Sequence, residues 1–362
     1  MVEYAATSAE RLRRAPGAAF AALDLGTNNC RLLVGAPTGH GFRVLDSFSR
    51  IVRLGEGPHD TGRLSPSGME RALTALHTCA ERLARRPLSG LRAIATEACR
   101  RASNGAEFLA RVRQETGIAI DVISAREEAE LALESCGPLL LPAARRALLF
   151  DIGGGSTELA WVRLPGADAR SGPTAPASPG GPSLIGYDSL PIGVVTLAER
   201  FGPALYSAGA FAAIVDDVVG RLAAFERVHC IGQEIRCGGV QLLGTSGTVT
   251  TLAGVALGLT RYRRPLVDGT VLSAEDAERA VAALRALGRD GLARHPCVGP
   301  ERVDFVLPGC AIFAAIRRMW PAPRVVVADR GLREGMLLRM MHGARAPHRR
   351  PRPGGPDAPL PA

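Results

Sequence analysis

Apolar and polar positions alternate along this chain in two rhythms, one suited to strands and one to helices. Ala19–Leu25 and Cys30–Gly35 are apolar runs separated by Gly26-Thr27-Asn28-Asn29, a turn-rich tetrapeptide, and together they predict a β-hairpin. A helix is predicted from Ser65-Pro66, with Ser at the cap and Pro in the first turn. Its apolar residues Met69, Leu73, Leu76, Ala80 and Leu83 recur at helical spacing. Leu91–Thr96 then reads as a strand, Asn104–Thr116 as a helix and Ile118–Ile123 as another strand. Ser124 to Ser135 predicts a helix opened by the capping-box pattern Ser124-x-x-Glu127.

The pattern then begins again. Ala147–Asp151 reads as a strand, Gly153-Gly154-Gly155-Ser156 as a turn and Thr157–Val162 as a returning strand. The segments DLGTNN at Asp24 and DIGGGS at Asp151 are one device used twice, 127 positions apart. A repeat this long means two similar domains rather than a solenoid, and two such hairpins can face each other across one cleft. Two domains also suit 362 residues. Residues 1–17 read as a flexible lead-in, Pro165 to Pro182 as an extended surface loop, and the Pro/Arg-rich segment 343–362 as a disordered tail.

Composition narrows the class. Hydrophobic residues make up 46% and charged residues 22%, a globular balance, and no apolar run is long enough to span a membrane. The N-terminus lacks an apolar signal core, so a cytoplasmic location is expected. The net charge is +9 and every basic residue is Arg, which fits an Arg-rich genome and only weakly favours an anionic partner. No nucleic-acid or membrane partner is expected. Eight cysteines without a C-x-x-C pair read as reduced, mostly buried thiols, and scattered histidines offer no zinc spacing.

Small-residue turns let successive backbone N–H groups approach a phosphate, because only small side chains leave room. Gly26, Thr27 and Asn28 form one such turn, and Gly153, Gly154, Gly155 and Ser156 another. A third, containing Ser246 and Gly247, follows the apolar Val240–Leu243 and precedes a helix expected from about Val249. Asp24 and Asp151 each end a strand beside a turn, where a carboxylate and a phosphate repel unless a cation lies between them. Mg²⁺ is the expected cofactor, with Asp24, Asp151 and Glu158 as candidate ligands. Arg100, after the strand Leu91–Thr96, and Arg31 are candidate phosphate contacts. Arg31 is equally suited to a cross-strand salt bridge, and Arg101 to a solvated position. Glu127 and Glu128 open the helix after Ser124; spacing favours helix-dipole stabilisation for both, with a general base aimed into the cleft as the alternative for Glu128. Glu128 lies about 100° round the helix from Glu127.

Nine segments in order resemble the Ppx/GppA phosphatases. They are DLGTNNCRLLV, RLGEG, ATEACRRASNGAEFL, ISAREEAEL, FDIGGGSTELA, PIGVVTLAERF, GTSGTVTTLA, RVDFVLPGCAI and DRGLREGML. The resemblance spans about residues 19–342. It implies an α/β fold of two ribonuclease-H-like domains, that of the actin/sugar-kinase superfamily, around an interdomain cleft. Domain I would take residues 18–136 with a returning segment 328–342, and domain II residues 137–327.

The family's general base falls on Glu128, its phosphate-loop Asn on Asn28 and its cleft Arg on Arg100. Asp151, Gly153, Ser156 and Glu158 also match, and Arg31 stands where relatives carry Arg or His. Asn29 departs from the usual Ser or Thr. The resemblance implies Mg-assisted attack of water on the terminal phosphoanhydride of inorganic polyphosphate or guanosine pentaphosphate, with Glu128 and Arg100 catalytic, and it suggests a homodimer. The chain ends soon after the two-domain core, as in the short members. Two alternatives stay open: an ATP-dependent phosphotransferase on the same fold, and a non-catalytic sensor of polyphosphate or guanosine polyphosphates.

Overall fold

The computed structural model describes residues 19–39, 41–56, 62–165 and 181–345. The expected lead-in, nearly all of the loop after Pro165 and most of the tail lie outside the described residues.

Sheet A is built from β1 (Phe20–Leu25), β2 (Asn29–Thr38), β3 (Gly41–Ile51), β4 (Gly90–Ala95) and β5 (Asp121–Val122), in the order β3-β2-β1-β4-β5. Between these strands lie α1 (Pro66–Ala84), α2 (Glu97–Arg101) and α3 (Gly105–Thr116); α4 (Ala125–Cys136) follows. The helix starts match the local chemistry. Ser65 Oγ accepts the Gly68 N–H at 3.1 Å and Ser124 Oγ accepts the Glu127 N–H at 3.2 Å. Gly117 closes α3 in the left-handed conformation, with φ 71°.

Sheet B comprises β6 (Arg146–Ile152), β7 (Thr157–Arg163), β8 (Ser183–Leu190), β9 (Val240–Thr245), β10 (Val271–Ser273) and β11 (Arg324–Ala328), in the order β10-β11-β9-β6-β7-β8. Its helices are α5 (Val194–Phe201), α6 (Ala208–His229), α7 (Ile231–Arg236), α8 (Ser246–Ala256), α9 (Arg264–Val267), α10 (Ala274–Ala286), α11 (Gly288–Arg294) and α12 (Val303–Met319). Read as β8-β7-β6-β9-β11, the sheet repeats the strand order of sheet A, with β10 added at one edge. In each sheet two antiparallel pairings are followed by parallel ones. This is the two-domain actin/sugar-kinase fold.

The two faces of each sheet have different partners. One face of sheet A, with Leu23 and Leu32, packs on Leu73, Leu76, Phe108 and Val112 of α1 and α3. Its other face, with Phe20, Ala22, Leu33 and Ile94, packs on Met336, Leu337 and Met341 of the returning helix α13 (Leu332–Arg345). In sheet B, Leu148 and Phe150 face Phe225, Phe313 and Ile316 of α6 and α12. The opposite face, with Ala147 and Leu149, meets Ala129, Leu133 and Cys136 of α4. Leu131, on the same helix, belongs to the cluster with Ile123 and Met336. α4 is thus wedged between the lobes with both sides apolar, so its first turn is held where they meet. Burying one Leu such as Leu131 contributes roughly 1.5–3 kcal/mol.

Three local expectations are corrected. The run Ile118–Ile123 forms strand only at Asp121–Val122, because it lies at the sheet edge and pairs only with Ile94 and Ala95. The helix expected from about Val249 begins three residues earlier, at Ser246, with Thr245 as its cap residue. The capping box at Ser124 is half formed. The Ser side chain caps, while the Glu127 carboxylate goes to Arg92 at 3.0 Å. No described helix is long and apolar enough to cross a membrane.

Candidate active site

The two predicted hairpins have the same register. Asp24 faces Arg31 across β1–β2, and Asp151 faces Glu158 across β6–β7. Each turn closes with one backbone bond of the same length: Gly26 N to Asn29 O and Gly153 N to Ser156 O, both 2.9 Å. The first turn is braced from behind by residues 52–55. Val52 and Arg53 donate to Asn28 O at 2.8 and 3.1 Å, and the Gly55 N–H donates to Thr27 O at 2.9 Å. A side chain at Gly55 would strike Thr27 Cγ2 at 2.2 Å, so glycine alone permits this brace.

The turns meet tip to tip. A Cβ on Gly154 would come within 3.0 Å of Asn28 Cβ, and one on Gly155 within 2.8 Å of Thr27 Oγ1. The glycine-rich second turn leaves the space that the side chains of the first turn fill. Above them lies a cleft of about 1030 Å³. It is lined by Asp24, Gly26, Thr27, Asn28, Arg31, Glu128, Asp151, Gly153, Gly154, Ser156, Glu158, Ser246 and Gly247, so most of the expected site residues are brought together. Gly155 and Arg100 do not line it.

The acids of the cleft are strongly desolvated. Burial pushes the Asp151 carboxyl up to about 6, against the attraction of Arg31 and with added repulsion from Asp24. Glu158 is held well above the ordinary carboxylate range by burial and by Glu128 and Asp151. Asp24 is also raised by burial, with Arg31 and Arg333 opposing the rise. Two like charges directly opposite on neighbouring strands repel. Asp151 and Glu158 are such a pair, and among the described residues no counter-ion binds either of them directly. Asp24 Oδ1 and Asn28 Oδ1 are buried without a hydrogen-bond partner. This donor set fits a hard divalent cation. No group of three or more His, Cys, Asp or Glu among the described residues is arranged to hold a metal alone. Mg²⁺ suits that arrangement, since it uses one or two carboxylates and completes its shell with water and substrate phosphates.

Glu128 stands in the first turn of α4, buried at 6% exposure. Burial is the main cause that raises its carboxyl to about 7; Arg100 pulls it down, and Asp24 and Asp151 push it up. Its Oε2 accepts from Arg100 Nη1 at 2.8 Å, while Oε1 has no partner among the described residues. Arg100 departs from expectation. It lies on α2 rather than at a strand end, and its guanidinium is occupied by Glu128, by Glu97 Oε2 at 2.7 Å and by Ile123 O at 2.9 Å. It holds Glu128 and does not itself line the cleft. Arg101 is solvated as expected, with a longer contact of 3.4 Å to Glu97.

The third turn carries backbone strain. Ser246 adopts φ 88°, a left-handed value rare for a residue with a Cβ, and its Oγ is buried without a partner. Behind Gly247 stands Arg302, anchored through the carbonyls of Val298 at 3.1 Å and Cys297 at 2.7 Å. Sequence reasoning missed several cleft residues, among them Arg302, Tyr262, Asp329 and Arg333. They come from distant segments that share no spacing. Membership of RVDFVLPGCAI and DRGLREGML in the ordered set of segments was the sole hint. Six cysteines are buried, all eight are free, and only Cys230 and Cys237 are exposed.

Comparisons with known proteins agree with this architecture. A model of the Ppx/GppA phosphatase family matches residues 33–344. The first turn precedes that match, and its kinship with the second rests on their shared register. The crystal structure of the Aquifex aeolicus member of the Ppx/GppA protein family is 25% identical, with TM-score 0.71, covering 90% of this chain and 98% of that one. An exopolyphosphatase-like protein of known structure is 29% identical, with TM-score 0.75 over 89% of this chain and 97% of its own. An exopolyphosphatase from Cytophaga hutchinsonii, 24% identical, covers 90% of this chain and 98% of its own at TM-score 0.76; that likeness speaks for the fold.

Proposed function

The chain belongs to the Ppx/GppA phosphatase family, and on that premise we propose that it hydrolyses the terminal phosphoanhydride of inorganic polyphosphate or guanosine pentaphosphate. One observation supports the reading most directly. Glu128 is a buried carboxylate with one oxygen held by Arg100 and the other unengaged, beside a cleft where two duplicated small-residue turns converge.

The polyanion lies along the turns. Backbone N–H groups of the two glycine-rich bends, with Thr27, Asn28 and Ser156, hold its terminal phosphate, and Arg31 balances charge. Asp151 and Glu158, with Asp24 near, would hold Mg²⁺, which supplies neutralisation of phosphate oxygens and orientation of the terminal group. Glu128 Oε1 accepts a proton from water as the water oxygen bonds to the terminal phosphorus. The P–O bond to the bridging oxygen breaks, and the electron pair leaves with the shortened phosphate chain or guanosine tetraphosphate. Orthophosphate is released. A base raised to about 7 is matched to this task near neutrality.

The experiment offers purified protein short polyphosphate, long polyphosphate and guanosine pentaphosphate in parallel with magnesium, and follows phosphate release. Release without any acceptor is expected. Tight binding without turnover would identify a sensor, and a strict need for an acceptor a phosphotransferase. Glu128→Gln is expected to lower kcat by roughly 10²–10⁴-fold while leaving tripolyphosphate binding nearly intact. Equal loss of turnover and binding would sink its role as base.

A further inference from the structure

Three arginines near the lobe junction are neutralised. Arg339 pairs with Glu134 at 2.7 Å, Arg330 with Asp268 at 2.9 Å and Arg264 with Glu334 at 2.8 Å. Four guanidinium groups in the cleft, those of Arg31, Arg50, Arg302 and Arg333, have no carboxylate bonded to them among the described residues.

Arg333 is the one supplied by the returning helix, in the first turn of α13. Its neighbour in sequence, Glu334, attracts it but makes no direct ion pair with it. Both oxygens of Glu334 are taken, Oε1 by Arg264 at 2.8 Å and Oε2 by the Gly331 N–H at 3.0 Å. Asp24, another carboxylate lining the cleft, attracts Arg333 as well and also attracts Arg31. Arg333 thus shares each of these counter-charges, Glu334 with Arg264 and Asp24 with Arg31, and Asp24 Oδ1 is itself buried without a hydrogen bond. Arg31 and Arg333 repel each other, and Arg264 adds to the repulsion. Leaving a desolvated cation uncompensated is unfavourable unless an anion arrives to meet it.

We propose that Arg333 is a substrate-holding residue whose guanidinium takes phosphate oxygens of the bound polyanion, an inference that rests on the hydrolase reading above. Asp329, Arg330 and Gly331 join β11 of sheet B to α13 on sheet A, and Arg333 follows in the first turn of that helix. A phosphate chain gripped by Arg333 is thereby fixed to the connection between the lobes, in addition to the two hairpin turns.

The test is calorimetric binding of inorganic tripolyphosphate to the full chain without divalent metal, so that no turnover intervenes. Arg333→Gln is expected to weaken binding about 10- to 100-fold and to flatten its salt dependence, with the melting temperature unchanged or raised. Arg333→Lys is expected to recover part of the affinity, because it restores charge without the planar fork. Wild-type affinity and salt slope in Arg333→Gln would overturn the inference. So would a lowered melting temperature in both Arg333→Gln and Arg333→Met with no weakening of binding by the folded fraction. Absence of phosphate release by the wild-type chain from polyphosphate and guanosine pentaphosphate with magnesium would overturn the hydrolase reading itself, and with it this inference.

Discussion

The β1–β2 and β6–β7 hairpins are the same structure carrying opposite charges at one position. Arg31 in the first stands where Glu158 stands in the second, each seven residues after a strand-end aspartate and each paired with it in register. In the first hairpin, Asp24 and Arg31 compensate one another. In the second, Asp151 and Glu158 repel. Their burial gives the cleft an acidic wall suited to a cation and, opposite it, a wall with an arginine for an anion. The turns differ in the same complementary way. Thr27 and Asn28 bring side chains to the contact, and Gly154 and Gly155 leave room for them. The two hairpins share one frame, and a few divergent positions make one cleft of unlike walls from two similar halves.

Removing the asymmetry at the acidic wall should have the largest effect. Asp151→Asn or Glu158→Gln is expected to lower kcat by roughly 10²–10³-fold, yet to raise the melting temperature of metal-free protein by relieving the buried repulsion. A variant that melts lower without metal and keeps its turnover would break the comparison. Packing between the turns comes next. Gly154→Ala places a methyl 3.0 Å from Asn28 Cβ, whereas Gly26→Ala meets Asn29 O at an ordinary 3.5 Å. Phosphate-release assays should find the first more damaging, by about tenfold, as expected when reacting groups are displaced. The reverse order would mean that the tips do not need to touch.

Loss of the basic wall should be smaller still. Arg31→Gln is expected to raise KM by about tenfold with little change in kcat, the size of one charge-assisted hydrogen bond. A fall in kcat alone would move Arg31 from holding to chemistry. The smallest effect is a displaced pH profile. Glu128 must be deprotonated to accept the water proton, so kcat should climb as pH rises through about 7 and level off above it. Arg100 holds that carboxyl down, so Arg100→Gln should carry the rising limb to higher pH. An unmoved limb would show that some other group titrates.

Local features of the cradle could be read in the sequence because they are set by neighbours along the chain. The Asp-apolar-Gly starts, the alternation on either side and the matching offsets defined both hairpins, and Ser65 and Ser124 marked their helices by capping. Glu128 was harder. Its spacing allows a helix-dipole residue or a base, and only the resemblance favours the base. The partners of Arg100 are not legible in the sequence, since the tail of a strand gives no sign that a short helix will turn the guanidinium onto Glu97 and Glu128.

By itself the sequence determined that two alike α/β units, each with a small-residue bend after a strand-end aspartate, make up this protein. Periodicity and turn chemistry act over a few residues and survive in one dimension. Tertiary structure alone decided that the bends touch, that α4 is wedged between two cores so that Glu128 faces both aspartates, and that Arg333 enters the cleft from the far end of the chain. Those outcomes depend on burial and on charges brought together from segments hundreds of residues apart, and no local pattern encodes them.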